Sequence, residues 1–434
     1  MCTSVVRGIT FASIAWSTST VVSAAPLAYH ATLDERAPLN AVFSLDLPAG
    51  RIGETLLAIK PRSEASLIGT PQCDGEDLVA RASTRWAAPP GCRVVRWRVV
   101  LRDEDRDPMD ASDPSSGWSG RGRWWLLTDR LAILTPRDGW QDATLAIATR
   151  LRDGGQKTNL RQLPRPGQPP FYGIASATGP RRYQSSGFHV NIYGDVPLEA
   201  DSTWQRFLTT TWNRWRRDIL PGDATAPTGL DILWVPPPPH AEPAFLASAG
   251  TGAILMQNIA GTDRAAADAK LRAALMLGTH EGFHALIGSI AQSWPAWVNE
   301  SWASYFAYRA ARPHLRGNVR EAVAALIDAP ASESVLEVQA ELDRGDGSHY
   351  DVFYGKGARF WAAIEGVLVT RSNPSGRLAA LIQDTRGFQG LDWSKPTAIA
   401  AYLDARSDGR ASRIVQCYLV DRGCLPTPSR GWSR

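Results

Sequence analysis

The sequence has little net charge, and this bears on the partners that the protein can bind. Its 434 residues include 47 Lys and Arg against 43 Asp and Glu, a formal charge of +4. The basic residues are mostly arginines, and they are scattered rather than gathered in one dense run. Such a small excess over this length does not indicate a groove for a polyanion. We therefore expect no nucleic-acid partner.

Long apolar runs are also missing. After the first two dozen residues, no segment offers the roughly 18 consecutive apolar residues that a membrane span requires. We therefore expect no transmembrane segment. Apolar residues make up 44% of the chain and charged residues 21%, as is typical of globular proteins. The length allows two or three domains with buried cores.

The amino terminus has the features of an export signal. Arg7 precedes a modestly apolar stretch at 9–22, and small residues follow at the positions where a signal peptidase cleaves. This pattern predicts a signal peptide over residues 1–24. A disordered tail is the alternative interpretation of the same stretch.

Cysteine is scarce, with five residues in the whole chain, and Cys2 lies in the predicted leader. The other four form two closely spaced pairs, Cys73 with Cys92 and Cys417 with Cys424. Local pairs of this kind indicate disulfides made in an oxidising compartment. The alternative is a zinc site of four cysteines, for which the two ends of the chain would have to meet. We expect two disulfides and a secreted or periplasmic protein.

The N-terminal part has the apolar pattern of β-strands. Short runs with a period of two, such as 42–47 and 94–99, predict an antiparallel β-rich domain over residues 25–162. A proline-rich stretch at 163–172 predicts a linker after this domain.

Beyond the linker the apolar period changes to that of helices alternating with strands. An amphipathic helix is predicted over 202–220, between strands at 188–193 and 230–235, and its tryptophans are expected in the core. A short apolar run at 252–256 then precedes a long Ala-rich helix that extends past residue 287. From there the chain is predicted to be mainly helical, so the expected fold class is α+β.

The predicted Ala-rich helix contains the sequence His-Glu-Gly-Phe-His, which begins at His280. A spacing of four places His280 and His284 one turn apart on one helical face, where both imidazoles can bind one zinc ion. Glu281 lies beside them, within reach of a water molecule at the metal. The alternative interpretation is two core or surface histidines without a ligand.

A zinc site of this type needs a third protein ligand, and the next predicted helix supplies Glu300. This carboxylate lies in an otherwise apolar and aromatic stretch, where an unpaired charge would be costly and a cation partner is expected. The alternative is an exposed glutamate near a helix amino terminus.

These motifs resemble those of the gluzincin metallopeptidases, the thermolysin-like group, and especially of its alanyl-aminopeptidase family. The stretch from Trp297 to Tyr305 is similar to the family's Trp-Leu-Asn-Glu-Gly-Phe-Ala-Ser-Tyr motif, and the stretch from Tyr354 to Ala358 to its Tyr-x-Lys-Gly-Ala motif. The resemblance implies a thermolysin-like catalytic domain over 173–312 and a helical part over 313–434 that carries a catalytic tyrosine. It further implies zinc as the cofactor and Tyr354 as the group that supports the transition state.

The resemblance also suggests substrate-contacting residues upstream of the histidines. The run from Gly252 through Ala253 to Gln257 lies where the family carries its Gly-Ala-Met-Glu-Asn strand. Gln257 stands where the family's glutamate pairs with a substrate's free amino terminus. A neutral amide loses that charge-assisted hydrogen bond, so the choice between exopeptidase and endopeptidase stays open.

The residues and the resemblance together predict a secreted or periplasmic zinc metallopeptidase acting on peptides or proteins. His280, His284 and Glu300 are the expected zinc ligands, Glu281 the general base and Tyr354 the oxyanion donor. The rival interpretation is a catalytically silent binding or assembly protein that keeps the gluzincin fold. An intact Glu281 argues against this rival, because a silent site has no need of a base.

Overall fold

A computed structural model describes the following residues, and the structural statements below concern them: 27–48, 54–107, 115–120, 122–128, 130–137, 143–163, 172–185, 187–194, 203–220, 228–235, 247–257, 264–288, 291, 294–315, 321, 332–368, 378–384 and 387–424. The predicted signal peptide and most of the predicted linker lie outside them.

The N-terminal part consists of short strands: β1 Leu27–Asp34, β2 Asn40–Asp46, β3 Thr55–Ala58, β4 Leu67–Cys73, β5 Glu76–Asp77, β6 Val79–Ala82, β7 Arg85–Ala88, β8 Val94–Val100, β9 Arg102–Asp103, β10 Gly117–Ser119, β11 Arg123–Leu127, β12 Thr135–Pro136, β13 Ala143–Arg150, β14 Gln156–Leu163 and β15 Tyr172–Ser176. They form a seven-stranded sheet, in the order β14-β13-β1-β2-β8-β4-β5, and two four-stranded sheets. Alternate side chains of β1 and β2 point into one core, so the period of two is confirmed. The pairing is mainly antiparallel, but β1 pairs with β13 and β9 with β10 in parallel.

The proline-rich stretch does not end the N-terminal part. β15, which follows it, pairs with β11 in one of the four-stranded sheets. The boundary predicted between residues 172 and 173 therefore cuts through a strand. Prolines mark where a chain leaves a sheet, but they carry no information about which sheet it joins next.

The second part alternates strands and helices, then becomes helical: β16 Arg181–Ser185, β17 Phe188–Tyr193, α1 Thr203–Ile219, β18 Gly229–Val235, β19 Ala247–Gly250, β20 Ala253–Gln257, α2 Arg264–Ile287, α3 Ala296–Ala311, α4 Val335–Asp343, α5 Lys356–Leu368, α6 Ala379–Gln383, α7 Pro396–Asp404 and α8 Ser412–Val415. The strands form a five-stranded sheet in the order β16-β17-β18-β20-β19. The predicted helix at 202–220 and the predicted strands at 188–193 and 230–235 are all present.

Both faces of the five-stranded sheet are covered, which explains why β18 is buried from its second residue and β20 along its whole length. Ile254 and Met256 of β20 pack in the core shared with the helices. Ala253 and Leu255 pack instead against Trp125 and other side chains of the N-terminal part. A polar contact accompanies this second interface: Arg161 pairs with the buried Asp231 carboxylate. The sheet thus separates the N-terminal part from the helices.

Aromatic side chains hold the helices together. Phe283 of α2 stacks on Phe306 of α3 with ring centroids 4.9 Å apart, and Trp215 of α1 contacts both rings. Trp302 of α3 packs on Trp361 of α5 at 4.3 Å. The tryptophans predicted for the core of α1 are buried. The two helices that carry the candidate metal ligands therefore lie in a rigid aromatic core.

Both predicted disulfides are present, Cys73–Cys92 and Cys417–Cys424. The second closes a loop that is tied to the helical core by the buried Lys356, whose Nζ donates to the carbonyls of Glu333 and Asp421. Within the described part of the chain, no helix combines the length and apolarity needed to cross a membrane.

Candidate metal centre

The three predicted ligands come together where α2 crosses α3. The Nε2 atoms of His280 and His284 lie 3.1 Å apart, and Glu300 Oε2 lies 3.0 Å from the first and 3.4 Å from the second. Both histidines lie on one face of α2 because they are one turn apart. Glu300 reaches them from the second turn of α3.

These distances are close to those around a bound metal ion. A tetrahedral zinc ion with bonds of about 2.0–2.2 Å to nitrogen and oxygen holds its ligand atoms about 3.3–3.6 Å apart, within about 0.3 Å of the three distances here. The donor set of two imidazoles and one carboxylate is also one that zinc accepts in catalytic sites. Among the described residues, one other group of side chains has potential metal-ligand atoms close together, and it consists of Cys73, Asp74 and Cys92. Its two sulfurs are bonded to each other, so they are not available to a metal, and the four-cysteine alternative is wrong.

Neighbouring side chains orient the ligands. Ser304 lies one turn after Glu300 on α3, and its Oγ is 3.2 Å from Nδ1 of His280. When Nδ1–H donates to this oxygen, Nε2 keeps its lone pair for a metal. On the other side, the Tyr350 hydroxyl donates to Glu300 Oε1 at 3.1 Å. Sequence reasoning missed Ser304, although its spacing of four from Glu300 on one helix was a usable signal.

The electrostatics of the cluster keep Glu300 ionised. Burial by itself raises the pKa of Glu300, but attraction to His284 and hydrogen bonds to both imidazoles outweigh it and hold the pKa well below its usual range. Burial lowers the pKa of His284, but the Glu300 carboxylate outweighs it and raises the pKa overall. Glu300 is therefore an anion in this site.

Glu281 stands beside the cluster and faces a cavity. Burial raises the pKa of its carboxyl, although the two histidines partly oppose this. A cavity of about 260 Å³ is lined by Glu281, His284 and Glu300 together with Ala249 and Gly250 of β19. A larger cavity, of about 490 Å³, lies between α1 and the C-terminal end of α3, and no predicted ligand lines it.

Tyr354 also reaches the cluster. Its ring lies 5.7 Å from the His280 ring, centroid to centroid, and the residue is 42% exposed. Burial of its hydroxyl and the nearby Glu300 carboxylate raise its pKa, so the hydroxyl stays protonated and can donate. Its hydroxyl has no hydrogen-bond partner among the described residues. Tyr354 follows a 3₁₀ turn at Tyr350–Phe353, which places both tyrosines near Glu300.

The predicted substrate residues are not where the sequence suggested. β20 lies between β18 and β19, so the run at 252–257 is not a sheet edge. Gln257 is 2% exposed and, by the alternation of β20, points with Ala253 and Leu255 away from α2. Gly252 has φ +71° in the tight turn between β19 and β20. This run therefore lacks the edge position that the prediction assumed, and the edge strand beside the cluster is β19.

Two glycines allow the helices to approach at the site. A Cβ on Gly282 would lie 2.0 Å from Nε1 of Trp212, so α1 packs directly on the backbone of the metal-binding turn. A Cβ on Gly357 would lie 2.6 Å from Cβ of Ser301, the residue after Glu300. The absence of side chains at these positions brings α1 and α5 close to the ligand helices.

Solved structures with a similar fold include aminopeptidases and zinc metallopeptidases. An aminopeptidase N family protein from Idiomarina loihiensis is 13% identical, with a TM-score of 0.65 over 94% of this chain and 78% of that one. A mutant M1 zinc metallopeptidase from Deinococcus radiodurans, bound to a Tyr-Ser-Ala substrate, is 14% identical, with a TM-score of 0.52 over 93% and 95%.

A third similar structure is aminopeptidase A from Legionella pneumophila in complex with aspartic acid. It is 13% identical, with a TM-score of 0.55 over 92% of this chain and 49% of that one. No protein-family model and no curated protein sequence matches the chain. The likeness is therefore one of tertiary structure, and it shows that this chain has the α+β fold of the M1-type gluzincins, with a β-rich N-terminal part and a helical C-terminal part. The resemblance inferred from the motifs is confirmed at this level.

Proposed function

We propose that this protein is a zinc-dependent metallopeptidase that hydrolyses peptide bonds. The observation that carries the proposal is the convergence of His280 Nε2, His284 Nε2 and Glu300 Oε2 within 3.4 Å of one another beside a cavity. The fold supports it, because similar solved structures include zinc metallopeptidases, one of them bound to a Tyr-Ser-Ala substrate.

His280, His284 and Glu300 would hold the zinc. When bound in such a site, zinc lowers the pKa of a water molecule towards about 7 and polarises the scissile carbonyl as a Lewis acid. Glu281 would take a proton from the attacking water and pass it to the leaving amine nitrogen. The raised pKa of Glu281 brings its proton affinity closer to those of the attacking water and the leaving amine nitrogen.

Tyr354 would stabilise the oxyanion. The scissile carbonyl oxygen gains negative charge in the transition state, and a neutral phenol can donate a hydrogen bond to it. Among the two tyrosines near Glu300, Tyr354 has the hydroxyl that makes no hydrogen bond with the described residues, whereas that of Tyr350 donates to Glu300.

The substrate backbone is expected to lie along β19. This strand is at the edge of the five-stranded sheet, and its Ala249 and Gly250 line the same cavity as Glu281. An extended peptide can add to such an edge by backbone hydrogen bonds. The small side chains leave room for it. The two disulfides support a secreted or periplasmic location, since both are stable in an oxidising compartment.

The test is zinc analysis combined with digestion of a mixed peptide library by the purified full chain. We expect one zinc per chain, hydrolysis that a chelator abolishes, and recovery of hydrolysis when zinc is restored. The cleavage positions show directly whether the enzyme is an exopeptidase or an endopeptidase. Binding of zinc without hydrolysis would favour the silent binding protein, and hydrolysis by metal-free protein would refute the zinc assignment.

A further inference from the structure

The two carboxylate oxygens of Glu300 have different partners. Oε2 faces the imidazoles of His280 and His284, whereas Oε1 accepts the hydrogen bond from the Tyr350 hydroxyl. Tyr350 does not belong to either ligand helix. It begins the 3₁₀ turn between α4 and α5, so a separate element of the fold reaches the far side of the carboxylate.

The Tyr350 ring is held in place by its neighbours. It packs edge-on against Phe353 at 5.1 Å and Tyr354 at 5.7 Å between ring centroids, and the residue is only partly exposed. These contacts involve the ring and not the hydroxyl. A phenylalanine at this position would therefore keep the packing and lose the hydrogen bond alone.

We propose that Tyr350 is a positioning residue that engages Oε1 of Glu300, so that the carboxylate presents Oε2 alone to the metal cluster. A carboxylate that turns to offer both oxygens occupies two coordination positions. A catalytic zinc site needs one position open for water or substrate. Partners outside the ligand set that fix a ligand's orientation commonly change metal affinity 10–100-fold when they are lost. The inference rests on the proposed zinc function.

The assignment separates the roles of two neighbouring tyrosines. Tyr350 holds a metal ligand, whereas Tyr354, four residues later, keeps its hydroxyl for the substrate. Tyr350→Phe is therefore expected to change metal binding, and Tyr354→Phe is expected to change turnover without changing metal binding.

The experiment measures zinc binding by competition with a chromophoric chelator, with no substrate present. For Tyr350→Phe we expect the zinc dissociation constant to rise by about tenfold or more. The matched control is Tyr402→Phe on α7. It deletes a similar hydrogen bond from a tyrosine hydroxyl to a carboxylate, in this case to Asp384 Oδ2 at 3.0 Å. It should leave the zinc dissociation constant within about twofold of the original. Both variants should show similar, small losses in melting temperature.

A second readout uses Co²⁺ in place of zinc, because the visible absorption band of bound Co²⁺ weakens as its coordination number rises from four to five. Tyr350→Phe should weaken this absorption band, and Tyr402→Phe should leave it unchanged. An unchanged zinc dissociation constant together with an unchanged Co²⁺ band would overturn the inference and leave the proposed function standing. Failure of the unaltered protein to bind zinc would instead overturn the proposed function.

Discussion

Gly282 lies in the metal-binding turn, and the structure predicts a steric clash when it is replaced by any larger residue. A Cβ built there lies 2.0 Å from Nε1, 2.1 Å from Cε2 and 2.4 Å from Cζ2 of Trp212. Ordinary contact needs about 3.4 Å or more, so α1 and α2 would have to separate by roughly 1.4 Å. Trp212 is fully buried in the core that α1 and α2 share. Gly282→Ala therefore forces the two helices apart.

The energy of this change is the balance of two effects. Alanine is favoured over glycine in a helix interior by about 1 kcal/mol. Overpacking in a rigid core costs about 1–3 kcal/mol and sometimes more. Since the overlap involves the ring of a buried tryptophan and helix backbone, we expect the upper part of this range. Gly282→Ala should lower the free energy of unfolding by about 1–2 kcal/mol in total.

The same displacement should also damage the metal centre. His280 and His284 lie on either side of Gly282, and their Nε2 atoms are 3.0 Å and 3.4 Å from the Glu300 carboxylate on α3. A movement of α2 by about 1.4 Å is large compared with the tolerance of a ligand sphere. We expect zinc affinity to fall at least tenfold, measured by chelator competition alongside urea unfolding.

Gly366→Ala is the matched control. Gly366 also lies in a helix, α5, but a Cβ there meets no described atom within 4 Å apart from its own helix backbone. This variant should be neutral or more stable by up to about 1 kcal/mol, with unchanged zinc affinity. In addition, Trp212→Phe should partly rescue Gly282→Ala, with a coupling energy of about 1 kcal/mol or more in a double-mutant cycle. If Gly282→Ala were as stable as Gly366→Ala and bound zinc normally, the close contact between α1 and α2 would be wrong.

Three further predictions follow from other contacts. Glu281→Gln should keep its zinc but lower turnover by a factor on the order of 10² to 10⁴, and near-normal turnover in steady-state assays would exclude a general-base role. Tyr354→Phe should reduce kcat by about 10² with little change in KM, whereas equal kcat values would assign the oxyanion to another donor. Asp231→Ala should destabilise the protein by about 2–4 kcal/mol, measured by urea unfolding, because it leaves Arg161 and the Asn191 amide without their shared carboxylate. A loss below about 0.5 kcal/mol would mean that this contact does not hold the N-terminal part to the sheet.

The metal ligands could be predicted from the sequence because they depend on local geometry. A spacing of four in a helix brings His280 and His284 onto one face whatever the rest of the fold does. Glu300 could be predicted for a related reason, since a carboxylate in an otherwise aromatic helix is costly to bury without a cation nearby. The two disulfides were predictable because each pair is close in sequence and few cysteines compete.

The substrate side of the site depended on pairing between distant strands. Residues 247–250 and 253–257 form two adjacent arms of one hairpin, and nothing local shows which arm lies inside the sheet. The pairing of β20 with β18 decides it, and this leaves β19 at the edge and turns Gln257 away from the helices. In the same way, the pairing of β15 with β11 determined where the N-terminal part ends.

The orienting residues depended on contacts between elements that are far apart in the chain. Tyr350 reaches Glu300 from a turn 50 residues later, and Trp212 packs on Gly282 from a different helix. The sequence determined which side chains can bind a metal, because helical periodicity is a property of a few consecutive residues. The tertiary structure decided which residues orient those ligands and which strand lines the cleft, because these depend on long-range packing that periodicity does not encode.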